Sequence, residues 1–152
     1  MAELKTEPLF ELHLRVPVIQ APGGPDGFER RLGLIDGGRF AGERLSGVVS
    51  PGGNDLQTIR SDGAVLIDAR IVLQTDDGAA IAMIYTGIRH GPSEVMARIG
   101  RGEEVDPASY YFRISATFAT SDARYLWLNT VIAIGSGYRL PHGPVYSVHL
   151  LA

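Results

Sequence analysis

The chain has no cysteine. Disulfides, thiolate metal sites and a cysteine nucleophile are therefore excluded. Lysine is nearly absent: of the 14 basic residues only Lys5 is lysine and 13 are arginine. Arginine offers a planar fork to carboxylates, yet a GC-rich coding sequence produces the same bias, so the bias by itself identifies no ligand. No apolar run approaches the ~20 residues of a membrane span. The opening stretch, MAELKTEPLFELHLRV, lacks a charged segment followed by an apolar one, and no signal peptide is expected. The net charge is −3, without the basic surplus that a nucleic-acid partner calls for. There is no G-x-S-x-G elbow, no P-loop and no G-x-G-x-x-G. His13, His90, His142 and His149 show no metal-ligand spacing. No cofactor is expected, and any catalysis must rest on Arg, Tyr, Asp and His.

What remains is a 152-residue chain, 45% hydrophobic, read as one domain over residues 1–152 with the cytoplasm as its default compartment. Strand patterns dominate. Phe10, Leu12, Leu14 and Val16 alternate with Glu11, His13 and Arg15 over residues 9–18. Further strands are expected at 32–35, 39–49, 56–59, 64–75, 79–86, 111–120, 125–135 and 145–151. Gly, Pro, Asp and Asn punctuate them. Only residues 91–111 carry helical character, with Pro92 in a first turn and Val95, Met96 and Ile99 on one side. Strands at this spacing, without strand–helix alternation, predict an all-β sandwich or barrel.

The clearest pair is 64–75 with 79–86 across TDDG, a hairpin signal. A two-residue turn at Asp77-Gly78 sets Arg70 opposite Tyr85 and Val72 opposite Met83. On that register Asp68, Arg70 and Tyr85 share a face with apolar neighbours, and a slip of one residue reverses every assignment. Tyr111 and Arg113 alternate with Phe112 and Ile114, and Tyr125, Trp127 and Asn129 share a side. A barrel interior mixing aromatic and polar groups would hold a small molecule. The competing reading is an ion pair of Asp68 and Arg70 on a wet sheet face, with Tyr85 and Tyr111 as packing residues.

Five stretches taken together, GGRFAGERLSGVVSPGGND, RSDGAVLIDARIVLQTDDGAAI, GIRHGP, DPASYYFRISATFAT and RYLWLNTVIAIGSGYR, resemble the uncharacterised protein family 0311, the domain of unknown function 3237. The likeness runs from about Leu9 to the end. It implies a single closed antiparallel β-barrel, broadly lipocalin-like, with at most one short helix. Some relatives are associated with breakdown of lignin-derived aromatics as decarboxylases that need no cofactor. The family's motif positions fall here on Gly38, Arg39, Gly42, Gly52, Gly53, Asp55, Arg60, Asp62, Gly63, Asp68, Arg70 and the Asp76-Asp77-Gly78 turn. They continue through Arg89, Tyr111, Phe112, Arg113, Tyr125, Trp127, Asn129 and Arg139. Two departures stand out: Leu56 where the family often has Trp, and Ala119 where it often has an acidic residue.

The reading that follows is a cofactor-free barrel enzyme, a lyase of decarboxylase type or an isomerase, acting on a small aromatic or hydroxy-aromatic acid. Tyr85, Tyr111, Asp68 and Asp55 are the candidate catalytic residues. Arg70, Arg113, Arg39, Trp127, Phe112 and Asn129 are the candidate substrate contacts. A non-catalytic binding barrel and a structural assembly module are the alternatives. The expected partners are a small organic-acid ligand and further copies of the chain, with no nucleic acid and no membrane.

Overall fold

Alternation of apolar and polar residues makes each strand one-sided, and eight such strands close on themselves. The computed structural model describes residues 1–152. Its strands are β1 (Thr6–Arg15), β2 (Val18–Gly23), β3 (Phe28–Ile35), β4 (Gly37–Ala41), β5 (Ser46–Val49), β6 (Gly53–Arg60), β7 (Val65–Thr75), β8 (Ala80–His90), β9 (Tyr111–Ala119), β10 (Ile132–Leu140) and β11 (Gly143–Leu151). One α-helix, α1 (Ser93–Gly100), and two 3-10 helices, Pro107–Ser109 and Ala123–Thr130, complete the chain. All strand pairings are antiparallel, and no helix is long and apolar enough to cross a membrane.

β1 and β2, β3 and β4, and β5 and β6 are the two halves of long strands interrupted at Pro17, Asp36 and Ser50–Gly52. One register carries β1–β4 into β2–β3: Glu11 faces Ala41, Arg15 faces Gly37 and Val18 faces Leu34. With these halves joined, the molecule is an eight-stranded barrel closed by β1 on β11 and by β7 on β8. β2, β3 and β6 continue past the closure as a ribbon attached to β7. Gly38 permits the approach of β1 to β4. Its φ is +153°, and a Cβ there would meet the His13 carbonyl oxygen at 2.1 Å.

A hydrophobic core of 32 buried residues fills the barrel and packs α1 and the second 3-10 helix against it. Phe10, Phe40 and Phe118 meet ring to ring near the β7–β8 turn, and Tyr85, Phe112 and Tyr146 do so further along. The turn holds three residues, Asp76, Asp77 and Gly78. The Thr75 amide donates to the Ala79 carbonyl at 2.9 Å, and Gly78 takes φ +93°. This is a wider loop than a two-residue turn, so Ala69 faces Tyr85 and Arg70 faces Ile84. The expected register is off by one. Tyr85 accordingly points into the core, while Asp68 and Arg70 point out.

Residues 125–130, expected as strand, form the second 3-10 helix instead. The Asp122 carboxylate accepts from the Arg124 amide at 3.0 Å and starts the turn. Asn129 finishes it by exchanging hydrogen bonds with the Thr120 backbone at 2.8 and 2.9 Å.

Candidate functional site

The sheet formed by β6 to β11 carries a polar assembly on each face. On the inner face stand Asp55 and Gln57 of β6, Tyr85 and Arg89 of β8, Arg139 of β10 and Tyr146 of β11. Asp55 is 4% exposed. One carboxylate oxygen accepts from Gln57 Nε2 at 3.0 Å and the other has no partner. Burial raises the Asp55 pKa, against the Gln57 hydrogen bond and the Arg89 and Arg139 guanidiniums; the Asp68 carboxylate adds to the rise. Burial lowers the pKa of Arg89, and Arg139 beside it lowers it further. Arg89 lies over the Phe112 ring at 5.2 Å, with its Nε unpaired. Tyr85 and Tyr146 pack edge to face at 5.4 Å, and neither hydroxyl has a partner in hydrogen-bond geometry. Burial pushes both phenols above the ordinary tyrosine range. No space between these groups is wide enough to seat a water molecule. The assembly is a packed polar core, with no room for a substrate.

The room lies on the outer face. The cross-strand rows can be read from the register. One runs Leu32, Leu56, Asp68, Thr86, Ser115, Ile134, His149, and the next runs Thr58, Leu66, Ile88, Arg113, Ser136. Short side chains at Thr86, Ser115 and Ser136 leave a trough between longer ones. The trough is a groove of about 970 Å³ with Leu56, Leu66, Ile88 and Ile134 as apolar surface and Asp68, Tyr111, Arg113 and His149 as polar surface. Arg113 Nη1 donates to the Phe112 carbonyl at 2.9 Å, and its guanidinium lies 5.2 Å from the Tyr111 ring centroid. The other guanidinium donors are free for an anion. Arg70 reaches Asp68 at 3.5 Å, a long contact that leaves the carboxylate able to accept from a ligand.

The sequence-predicted residues therefore divide. Asp68, Tyr111 and Arg113 come together in the groove. Asp55, Tyr85 and Phe112 come together inside the barrel, where the expected ligand cavity is filled by side chains. Arg70 stands on the outer face beside Asp68 and does not line the groove. Arg39 faces His13 and Val48, and the row continues through Gln74 to Ala80 at the hairpin end. Trp127 and Asn129 are at that end too. The Arg44 guanidinium covers the Trp127 ring at 3.6 Å, and Asn129 is spent on the Thr120 backbone. Sequence reasoning missed Ile88, Ile134 and His149 as groove residues, and Arg139 and Tyr146 as partners of Asp55. The correct hairpin register would have placed Ile88 beside Leu66; the strand pairings that bring in the others span too much sequence to be read locally.

The pattern of the family described as a protein of unknown function, DUF3237, matches residues 4–151. A UPF0311 protein of Rhodopseudomonas palustris, RPA1785, is 36% identical over 146 residues, covering 96% of this chain and 95% of the relative. Its crystal structure superposes with a TM-score of 0.96 over the whole of both chains, at 35% identity. A UPF0311 protein of Clostridium acetobutylicum is 38% identical over 140 residues, 91% of this chain and 89% of the relative. The hydroalkoxylation enzyme phnH of Penicillium herquei is 30% identical over 107 residues, 70% of this chain and 56% of that protein. A crystal structure of an enzyme from the same fungus shares the fold, with a TM-score of 0.75 at 24% identity, covering 100% of this chain and 97% of that one.

Proposed function

Given that the chain belongs to the DUF3237 family, we propose that it is a cofactor-independent enzyme that moves protons on a small aromatic or hydroxy-aromatic acid lying in the outer groove. One observation carries this reading. A guanidinium with free donors, a phenol and a carboxylate converge on an apolar trough large enough for such a molecule. Arg113 holds the substrate carboxylate by a forked contact. Leu56, Leu66 and Ile88 pack against the ring, and Leu56 leaves space that the Trp often found there in the family would fill. Tyr111 exchanges a proton with the substrate, and Asp68 accepts from its hydroxyl.

The chemistry available is proton transfer without redox change. A lyase of decarboxylase type and an isomerase both fit that limit. The fungal relative's name favours the isomerase: hydroalkoxylation adds an O–H across a carbon–carbon double bond, so a proton reaches carbon while oxygen forms the new bond. In a decarboxylase, Arg113 must orient the departing carboxylate without holding it more tightly than the transition state does.

The test is a thermal-shift screen against benzoic, hydroxybenzoic and hydroxycinnamic acids and their neutral phenol counterparts, with each hit incubated and followed by mass spectrometry for loss of CO2 and by proton NMR for isomerisation. A stabilising acid that changes mass or isomer supports the reading. A stabilising acid returned unchanged makes the groove a binding site without turnover, and no stabilisation by any acid removes the ligand from it. Arg113→Leu is expected to weaken binding of the acids at least tenfold and to leave the neutral phenols nearly unaffected.

A further inference from the structure

The polar assembly inside the barrel is short of partners. Arg89 is 6% exposed, and neither it nor Arg139 forms an ion pair with a carboxylate. Arg89 Nε, one oxygen of Asp55 and the hydroxyls of Tyr85 and Tyr146 are all buried without a hydrogen-bond partner. Buried polar groups are almost always paired, and a buried charge without a counter-charge is the costliest exception. Here the exceptions are gathered in one place by β6, β8, β10 and β11. No water fits between them to supply the missing bonds. Two guanidiniums stand against one carboxylate, a surplus of one positive charge.

We infer that this cluster is a second ligand site, which takes the carboxylate of a small aliphatic acid such as formate, acetate or propionate onto Arg89, with Arg139 as its gate. The way in is the first argument. Of the 8 residues around this space, Arg139 alone is not fully buried. Its side chain is held by one hydrogen bond, from Nη1 to the Leu140 carbonyl. Rotation of that side chain toward solvent vacates the space of a guanidinium head. A carboxylate on a short chain fits there, and an aromatic ring does not. Recognition is the second. The unpaired Nε leaves one edge of the Arg89 guanidinium free for a forked contact with two coplanar oxygens, and the Tyr85 and Tyr146 hydroxyls are donors for the same oxygens. Val16, Phe112 and Pro144 give the short chain an apolar wall. A tetrahedral phosphate or sulfate matches neither that space nor a surplus of one charge. The outer groove takes no part in this site, and the inference does not depend on it.

The experiment uses the full chain with no aromatic acid present. Melting temperature is followed while sodium formate, acetate or propionate is titrated in, with sodium chloride holding the ionic strength constant. At least one of the three acids is expected to raise it by about 3 °C along a curve that saturates. Arg89→Met is expected to melt at or above wild type without the acid, because an unpaired buried charge is gone, and to lose the saturating rise. Tyr146→Phe removes a hydroxyl that has no partner and keeps the ring. It is expected to melt within about 1 °C of wild type and to bind the acid at least threefold more weakly. Aromatic acids in the groove should show the reverse sensitivity, weakened by Arg113→Leu and indifferent to Arg89→Met, so either proposal can fail alone. No saturating rise with any of the three acids overturns the inference. So does a rise that sulfate or phosphate reproduces at equal ionic strength, or one that persists in Arg89→Met. If Arg89→Met does not fold, Tyr146→Phe decides, and an acid affinity equal to wild type overturns the inference.

Discussion

At the residue scale the two aspartates of the sheet differ in consequence because they face opposite ways. Asp55 is buried with its pKa raised, so folding favours its protonated form. Its stabilising contribution is complete below the unfolded value near 3.8 and is lost as pH rises through the folded value. Asp55→Asn removes the ionisation and keeps an oxygen that can accept from Gln57. The difference in melting temperature, variant minus wild type, is expected to grow more positive from pH 4 to pH 8. A difference that is flat or falls over that range contradicts the account. Asp62 behaves in the opposite sense. Hydrogen bonds from Arg60 and the Ala64 amide hold it at about 2, so its contribution is present above 3.8 and disappears as pH falls through 2. Gly38→Ala is a different kind of residue effect. A methyl 2.1 Å from the His13 carbonyl must push β4 off β1, and the cost is expected to reach about 2 kcal/mol or more in chemical denaturation.

At the element scale, the 3-10 helix is tied to the β7–β8 turn. Tyr125 donates to the Asp77 carboxylate at 2.7 Å, and Arg124 donates to the Asp77 carbonyl at 2.8 Å. Tyr125→Phe removes one hydrogen bond and keeps the ring. A loss of about 2–4 °C in melting temperature is expected, with the fold unchanged in circular dichroism. The same region shows where sequence reading stops. Strand existence was legible for β7, β8, β9 and β11, where alternation is sustained along the strand and turn residues flank it. Apolar alternation in RYLWLNT looked like a strand because periodicity cannot register a capping aspartate or an asparagine that closes on Thr120. The hairpin was legible as a hairpin, but its loop length was not: TDDG supports two-residue and three-residue loops, and the choice decides which face every side chain takes. That one residue moved Tyr85 into the core and Asp68 away from it. The resemblance supplied closure of the barrel, which rests on the β1–β11 pairing between the two ends of the chain. Asp68, Tyr111 and Arg113 were legible as polar positions in apolar strands. Their shared groove was not, because it requires β8 to carry β7 on one edge and β9 on the other.

At the scale of the whole molecule, one sheet separates stability from the proposed activity. Odd positions of β7 and β8 face the core and even positions face the groove and its rim, so neighbouring residues in sequence should fail differently. Met83 has no exposed surface. Met83→Ala leaves a cavity inside a closed barrel whose strands are pinned on both edges, and little collapse is available to fill it. A loss of about 2–5 kcal/mol is expected in denaturant unfolding. Thr86, three residues on, lines the groove at its centre. Thr86→Leu fills the trough from its floor without touching the core. Its stability is expected to stay within about 0.5 kcal/mol of wild type, while affinity for any acid found in the thermal-shift screen falls at least tenfold. Both variants are read by the same two measurements, unfolding and ligand titration. If Thr86→Leu unfolds as easily as Met83→Ala, the outer face is part of the folding core and its groove is a packing defect. If ligand affinity survives Thr86→Leu unchanged, the ligand binds elsewhere, and the roles proposed for Asp68, Tyr111 and Arg113 fall with the groove.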